Sequence, residues 1–362
     1  MNKVIMTLPI KPQEKTNVGI LVAPTIVDSL GEIMNIDRIL NINLLNTYSD
    51  REKYFYTYLN DINDSRIKYD ELITDKEKLN DILIIINKMI EEKIIELSQE
   101  IIVRCECGKV EIYKEGIRDF SDGTLYKNIN DNIYCSNCNS FCKEYLEDVL
   151  YIPIEKEYLN EISISPSYLK KEVAEFANNL IDSKFIVSKQ RDTGCYIYVD
   201  GKKFNLDIDF IWMNLYKLFN YEEKILVACN KQFSKMFFID YINKISKKDN
   251  LTFVGHPYIS NVEGLDVNFE YYKSQNEYYK KMFILYNLGW NNKTCKWSKS
   301  KIDYLSNISD TRRKNLYDAL LMSSKEINNI YLPTDENISN ILQKGINFQQ
   351  NISKSKKLYK QR

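Results

Sequence analysis

Apolar and polar positions along this chain fall into blocks that switch between a strand-like and a helix-like period. The run NVGILVAPTIV (17–27) is almost continuously apolar and β-branched, with Pro24 towards its end. It predicts a buried strand, central in a parallel sheet. Behind it, Ile33, Ile36, Leu40 and Leu44 recur at helical spacing. That spacing predicts a helix beginning near Ser29 or Leu30, with Asp28 or Ser29 as its cap. A strand that runs straight into a helix start presents unpaired N–H groups and the positive dipole end to a ligand, a phosphate-handling geometry.

The segment 74–97 predicts a strong helix. Leu79, Ile82, Leu83, Ile86, Ile90, Ile94 and Leu97 form an apolar stripe, and Thr74 with Glu77 three residues on matches a capping box. A cysteine-bearing stretch follows at 101–152. The stretch after it predicts a helix and then a hairpin turning at Asp200-Gly201. From 207 strand and helix texture returns through DIDFIWMNLYKLF, EKILVACN, FFIDYINKI and LTFVGHPYI, and the end, 301–362, is helical and polar. Strands alternating with helices, interrupted by an insertion, predict an α/β fold. The expected units are a first core half (1–100), an insertion (101–205), a second core half (206–300) and a helical extension (301–362).

Charge changes the picture only by exclusion. The 50 basic and 50 acidic residues cancel, so no broad nucleic-acid footprint is visible, and KSKKLYKQR at the end is the one local basic run. The first residues contain no apolar stretch long enough for a signal peptide, and ILIIINKMIEEKIIEL (82–97) is broken by Lys88, Glu91, Glu92 and Lys93 and too short for a bilayer. A cytoplasmic protein without membrane contact is expected. There, eight cysteines read as metal ligands or free thiols rather than disulfides.

Five of those cysteines cluster. Cys135 and Cys138 have the C-x-x-C knuckle spacing, and Cys105 and Cys107, two apart, point to one side of an extended chain, with Gly108 available for a sharp turn. Cys105, Cys107, Cys135 and Cys138 are the expected ligands of a structural Zn2+; Cys142 is spare, or the fourth ligand if Cys105 or Cys107 is not used. Cys195, Cys229 and Cys295 stand alone and read as small buried hydrophobes.

The stretch KWSKS (Lys296, Trp297, Ser298, Lys299, Ser300) completes an order of parts: strand and helix start, cysteine knuckle, IVSKQRDTG (186–194), DIDFIWMN read as a strand carrying Trp212, then a lysine-serine loop. This order resembles the catalytic core of class I aminoacyl-tRNA synthetases, the methionyl type above all. The resemblance covers about residues 15–320 and implies a Rossmann-type parallel sheet with a zinc-knuckle insertion and a short helical C-terminal extension. In the family the lysine-serine loop is KMSKS and closes over pyrophosphate. Lys299 would then stabilise the charge developing on the phosphates, and Lys296, Ser298 and Ser300 would shape the loop. Flexible cations placed on a developing anion are a sound device in their own right. Trp297, in place of Met, would anchor the loop on an apolar patch or stack on adenine.

The chain departs from the family elsewhere. The positions assigned to the HIGH signature are Ser29, Leu30, Gly31 and Glu32; the glycine is kept and both histidines are absent. The only histidine, His256, lies elsewhere and reads as structural. Gly264 and Asp266 in VEGLDVN match the family's ribose-side G-x-D, with VACNKQ (227–232) as a competing match. Only 62 residues follow Ser300, too few for an anticodon-binding domain. The resemblance implies ATP with Mg2+ as cofactors and an amino acid or related carboxylate as substrate. The acceptor would be a tRNA acceptor end or a small molecule or carrier. A catalytically degenerate relative that binds nucleotide or a partner is the alternative.

Overall fold

A computed structural model describes residues 2–14, 17–45, 52–113, 126–129, 132–159, 162–166, 168–246, 249–260, 269–288, 293–297, 299–315 and 317. In chain order, β1 (Lys3–Thr7) leads through a short 3-10 turn (Val18–Leu21) into α1 (Val22–Met34), β2 (Asp37–Ile42), α2 (Glu52–Asp64), β3 (Glu71–Thr74) and α3 (Leu79–Glu91). The insertion carries β4 (Glu96–Arg104), β5 (Glu111–Tyr113), β6 (Tyr126–Ile129), β7 (Asn132–Cys135) and β8 (Lys143–Pro153). Then come β9 (Ile164–Ser165), α4 (Tyr168–Asn178), β10 (Lys184–Ile186), β11 (Ser188–Lys189), β12 (Tyr196–Val199), β13 (Lys202–Leu206) and α5 (Ile208–Met213). The last elements are β14 (Glu223–Cys229), α6 (Phe233–Ser246), β15 (Asn250–His256), β16 (Tyr258–Ser260), α7 (Phe269–Ser274), α8 (Glu277–Asn287), β17 (Thr294–Lys296) and α9 (Lys299–Asn307).

The core is a parallel sheet in the order β3-β2-β1-β14-β15-β9. Period-two alternation sends its strands' side chains to opposite faces. Val4, Met6, Leu226, Ala228 and Phe253 join one apolar cluster, which is covered by α3, α4, α5 and α6. Ile5, Leu40, Ile225, Val227 and Val254 join the other, covered by α1 and α8. The strand order reverses at β1, with β2 on one side and β14 on the other, so the crevice at their carboxyl ends is where a ligand is expected in an open α/β sheet.

The α/β expectation holds, and several of its elements need correction: the helix read over 74–97 spans Leu79–Glu91 with Leu97 on β4, and Leu40, read as helical, lies on β2. The run 17–27 is not the central strand: β1 is, and Val22 onward is helix. Ten residues of α1 are buried because it is sandwiched between the sheet and α8, so an apolar run without period is helical here. Pro24 sits in the first turn of α1, where a missing N–H costs nothing. Likewise, DIDFIWMN is not a strand: Asp207 accepts from the Asp209 N–H and caps α5. The insertion is not continuous either, because β9 pairs in parallel with β15 and so returns to the core sheet within 101–205. Asp200 (φ 50°) and Gly201 (φ 78°) form the expected tight turn between β12 and β13.

Candidate functional site

The carboxyl rim of the sheet is assembled by short-range polar contacts. Beyond β15, β16 continues and pairs in parallel with β17, Ser260 opposite Lys296. Asn230, just past β14, ties this ribbon down: its Nδ2 donates to the Lys293 carbonyl (2.6 Å) and to the Tyr168 hydroxyl (2.9 Å). Lys231 covers the Tyr258 ring at 3.8 Å. Lys296 therefore ends a strand anchored at the rim, Lys299 opens α9, and Lys296, Lys299 and Ser300 are exposed. Ser298, Gly264 and Asp266 lie outside the described residues.

Trp297 is 4% exposed and packs on Phe283 of α8, ring centroids 4.9 Å apart. It shares its apolar cluster with Val18 and Leu21, at the start of the first helix. The anchoring role expected of this tryptophan is thus the geometry observed, and it places the lysine-serine stretch on the same side of the sheet as that helix start.

Ser29, Gly31 and Glu32 do not stand at a helix start. They lie in the second half of α1, because the helix begins seven residues earlier than the apolar pattern suggests. Ser29 is fully buried. A Cβ on Gly31 would come within 2.3 Å of the Arg38 side chain, so this glycine serves packing against β2. Burial alone would raise Glu32, but the Tyr317 hydroxyl, donating at 2.6 Å, and Lys281 hold its carboxyl below the ordinary value. Asp28 does not cap a helix; it pairs with Lys281 (3.0 Å) inside the core. The residues that do open the first helical segment are Asn17, Val18, Gly19 and Ile20, with the Asn17 side chain accepting from the Ile20 N–H. The missed signal is Asn17 itself, a good cap directly ahead of an apolar run.

On the opposite side of the rim a charged group forms that no sequence pattern announces. Asp209 of α5 accepts from Trp212 Nε1 (2.8 Å) and Lys235 Nζ of α6 (2.7 Å), with Lys11 Nζ, beyond β1, at 4.0 Å. Burial pushes Asp209 up, but Lys235 and Lys11 outweigh it and hold the carboxyl far below its usual range. His256 accepts no such role: it is buried, its Nδ1 3.0 Å from the Pro257 carbonyl.

The cysteine cluster lies at the tip of the β4–β8 ribbon. The Sγ atoms of Cys105, Cys107, Cys135 and Cys138 fall within 4.8 Å of one another. The Cys105–Cys107 and Cys107–Cys135 separations of 3.4 and 3.7 Å approach the ~3.8 Å edge of a tetrahedron with zinc–sulfur bonds of about 2.3 Å. Gly108 adopts φ +69° and makes the turn anticipated after Cys107. Backbone N–H groups of Val110 and Asn137 donate to Cys105 and Cys135 (3.2 and 3.3 Å), as outer partners of thiolate ligands do. The donor set fits zinc. Cys142 is outside the four; burial pushes its thiol up to about 11.

Comparison with solved structures now decides the fold. Mycobacterium tuberculosis methionyl-tRNA synthetase in complex with methionyl-adenylate superposes with a TM-score of 0.66 at 10% identity, over 91% of this chain and 72% of that one. A second methionyl-adenylate-bound structure of that enzyme gives 0.65 at 10% identity over 97% and 84%, and its apo form 0.65 at 9% over 95% and 79%. The chain has a methionyl-tRNA synthetase-like fold. Neither a family model nor a curated protein matches the sequence. The likeness spans most of the chain, while at this identity it carries the fold and not the chemistry.

Proposed function

We propose that this protein is an ATP-dependent ligase of the class I synthetase type. It would activate an amino acid as the aminoacyl-adenylate and pass it to a tRNA end or to a small-molecule or carrier acceptor, with ATP and Mg2+ bound at the rim, in the cytoplasm. The observation that carries the reading is Trp297: buried on Phe283 in the apolar cluster that also contains Val18 and Leu21, it supports a loop whose Lys296 and Lys299 act on the same face of the sheet as the first helix start. That arrangement supports two cations meeting phosphates that rest on Asn17–Ile20. A helix start can offer N–H donors to an anion, here those of Val18 and Gly19, since the Ile20 N–H is taken by Asn17. Lys299 would stabilise the negative charge as the bond to pyrophosphate breaks. Zn2+, held by the four cysteines, would be structural and would keep the insertion folded.

A second reading rests on one observation. The helix start offers Asn17 and Ile20 and no histidine, so at most one side chain there donates to a phosphate. A missing donor costs about 3–4 kcal/mol of transition-state stabilisation. A nucleotide- or partner-binding relative without turnover fits that deficit. ATP–pyrophosphate exchange across a panel of amino acids separates the two. Exchange that falls by ~10² or more in Lys299→Ala supports the ligase. ATP binding by calorimetry with no exchange for any amino acid replaces it with the binding module.

A further inference from the structure

We propose that Lys235 selects the substrate, and that the substrate carries a second anionic group on its side chain, as a dicarboxylic amino acid does. The inference rests on the ligase reading for its context and on the Lys11–Asp209–Lys235 group for its content. Lys11 leaves the end of β1, and Lys235 opens α6 just beyond β14, so the two cations flank the point where strand order reverses. They lie on the α5–α6 side of the sheet, whereas Trp297 and the first helix start lie on the other. A nucleotide held on the α1 side leaves this half of the crevice to the amino acid.

Lys235 is 9% exposed. Its ammonium has three donors. Among the described residues it makes one hydrogen bond, to Asp209 Oδ2, and its other contact is the Trp212 ring at 5.2 Å. Burying an ammonium with donors left over is costly unless something accepts from them. Asp209 cannot do so alone, because it also takes the Trp212 N–H and faces Lys11. A ligand carboxylate placed at Lys235 would satisfy those donors, with Trp212 as an apolar wall for its methylene stem. An apolar side chain, such as that of the methionyl group held by the structural neighbours, would instead be buried against an ion pair and leave the donors unmet.

The test is equilibrium binding to the full-length zinc-loaded protein, by calorimetry in the presence of a non-hydrolysable ATP analogue. The expected result is L-glutamate or L-aspartate binding at least about ten-fold tighter than its amide counterpart and than L-methionine, a difference typical of one lost charged hydrogen bond. Lys235→Met is expected to abolish that preference, and Lys244→Met, on the same helix, to leave it intact. Equal or tighter binding of methionine by the unaltered protein overturns the proposal without any variant. So does a preference that survives Lys235→Met, or no binding of any acidic amino acid. Because binding is read apart from turnover, an acidic preference without pyrophosphate exchange would sink the ligase reading and keep this one. Exchange driven by an apolar amino acid would do the reverse.

Discussion

The cysteine tip and the carboxyl rim are held together by different means. At the tip, the local apolar cluster consists of Val103, Val110, Ile112 and Ile133 together with three of the cysteines themselves. Remove the metal chemistry and little burial remains. At the rim, Trp297, Phe283, Leu21 and Val22 belong to a cluster continuous with one whole face of the sheet. Its cations, Lys296 and Lys299, stand on that packing and contribute none of it. The tip spends its reactive side chains on structure, and the rim keeps them exposed on a structure made by others.

Metal removal tests the first half of that contrast and has the largest expected effect. A structural zinc site contributes on the order of 10 kcal/mol to the segment it closes. The purified protein is expected to hold close to one zinc per chain. A chelator, or Cys135→Ser, is expected to open the β4–β8 ribbon to proteolysis while the parallel sheet stays resistant. Unchanged cleavage after the zinc has left would mean that packing alone holds the tip. At the rim the comparable insult is Trp297→Ala, which deletes a buried aromatic and leaves a cavity against Phe283. A loss of about 3–5 kcal/mol in urea unfolding is expected. A loss below about 1 kcal/mol would show that the loop is not pinned there.

The same contrast explains what could be read from the sequence. Cysteine pairs at fixed short spacing report a local geometry, and Gly108 and the Asp200-Gly201 turn report backbone states that few residues tolerate. Those readings survive contact with the structure. The start of the first helix does not, because α1 is buried nearly all round and a fully buried helix loses the period that distinguishes it from a buried strand. Thr74 shows a milder version: its hydroxyl accepts from the Glu77 N–H (3.1 Å), as a cap should, yet 75–78 form a turn and the helix begins at Leu79. The Lys11–Asp209–Lys235 group was illegible for another reason. Lys11 follows β1, Lys235 follows β14 and Asp209 lies on α5, so the three meet only in the folded chain, and nothing local marks them as partners.

His256 offers an intermediate effect on the rim side. Burial depresses its pKa from 6.5 to about 4. The sign follows from which state takes up the proton. Above about pH 6.5 both folded and unfolded chains hold it neutral, and no stability is at stake. Between about 6.5 and 4 the unfolded chain protonates and the folded one does not, so stability falls as pH falls. The full difference is roughly 3 kcal/mol at 1.36 kcal/mol per unit. Urea midpoints at pH 7.5 and pH 4.5 should therefore diverge less in His256→Gln than in the unaltered protein. An identical pH dependence in both would place the titrating group elsewhere.

The smallest expected effect sharpens the comparison most. Lys299 is exposed at the first turn of α9, and no apolar cluster includes it. Replacing it by Ala removes a solvated charge from a helix start, where a cation is mildly unfavourable, and keeps a strong helix former. Stability should stay within about 0.5 kcal/mol of the unaltered protein. Set beside Trp297→Ala, this separates the residue that builds the rim from the one that acts on it. If Lys299→Ala destabilised the fold as much as Trp297→Ala, the lysine would be part of the scaffold. Any loss of pyrophosphate exchange in that variant would then report unfolding rather than a missing charge, and Lys299 would lose its claim to the phosphates.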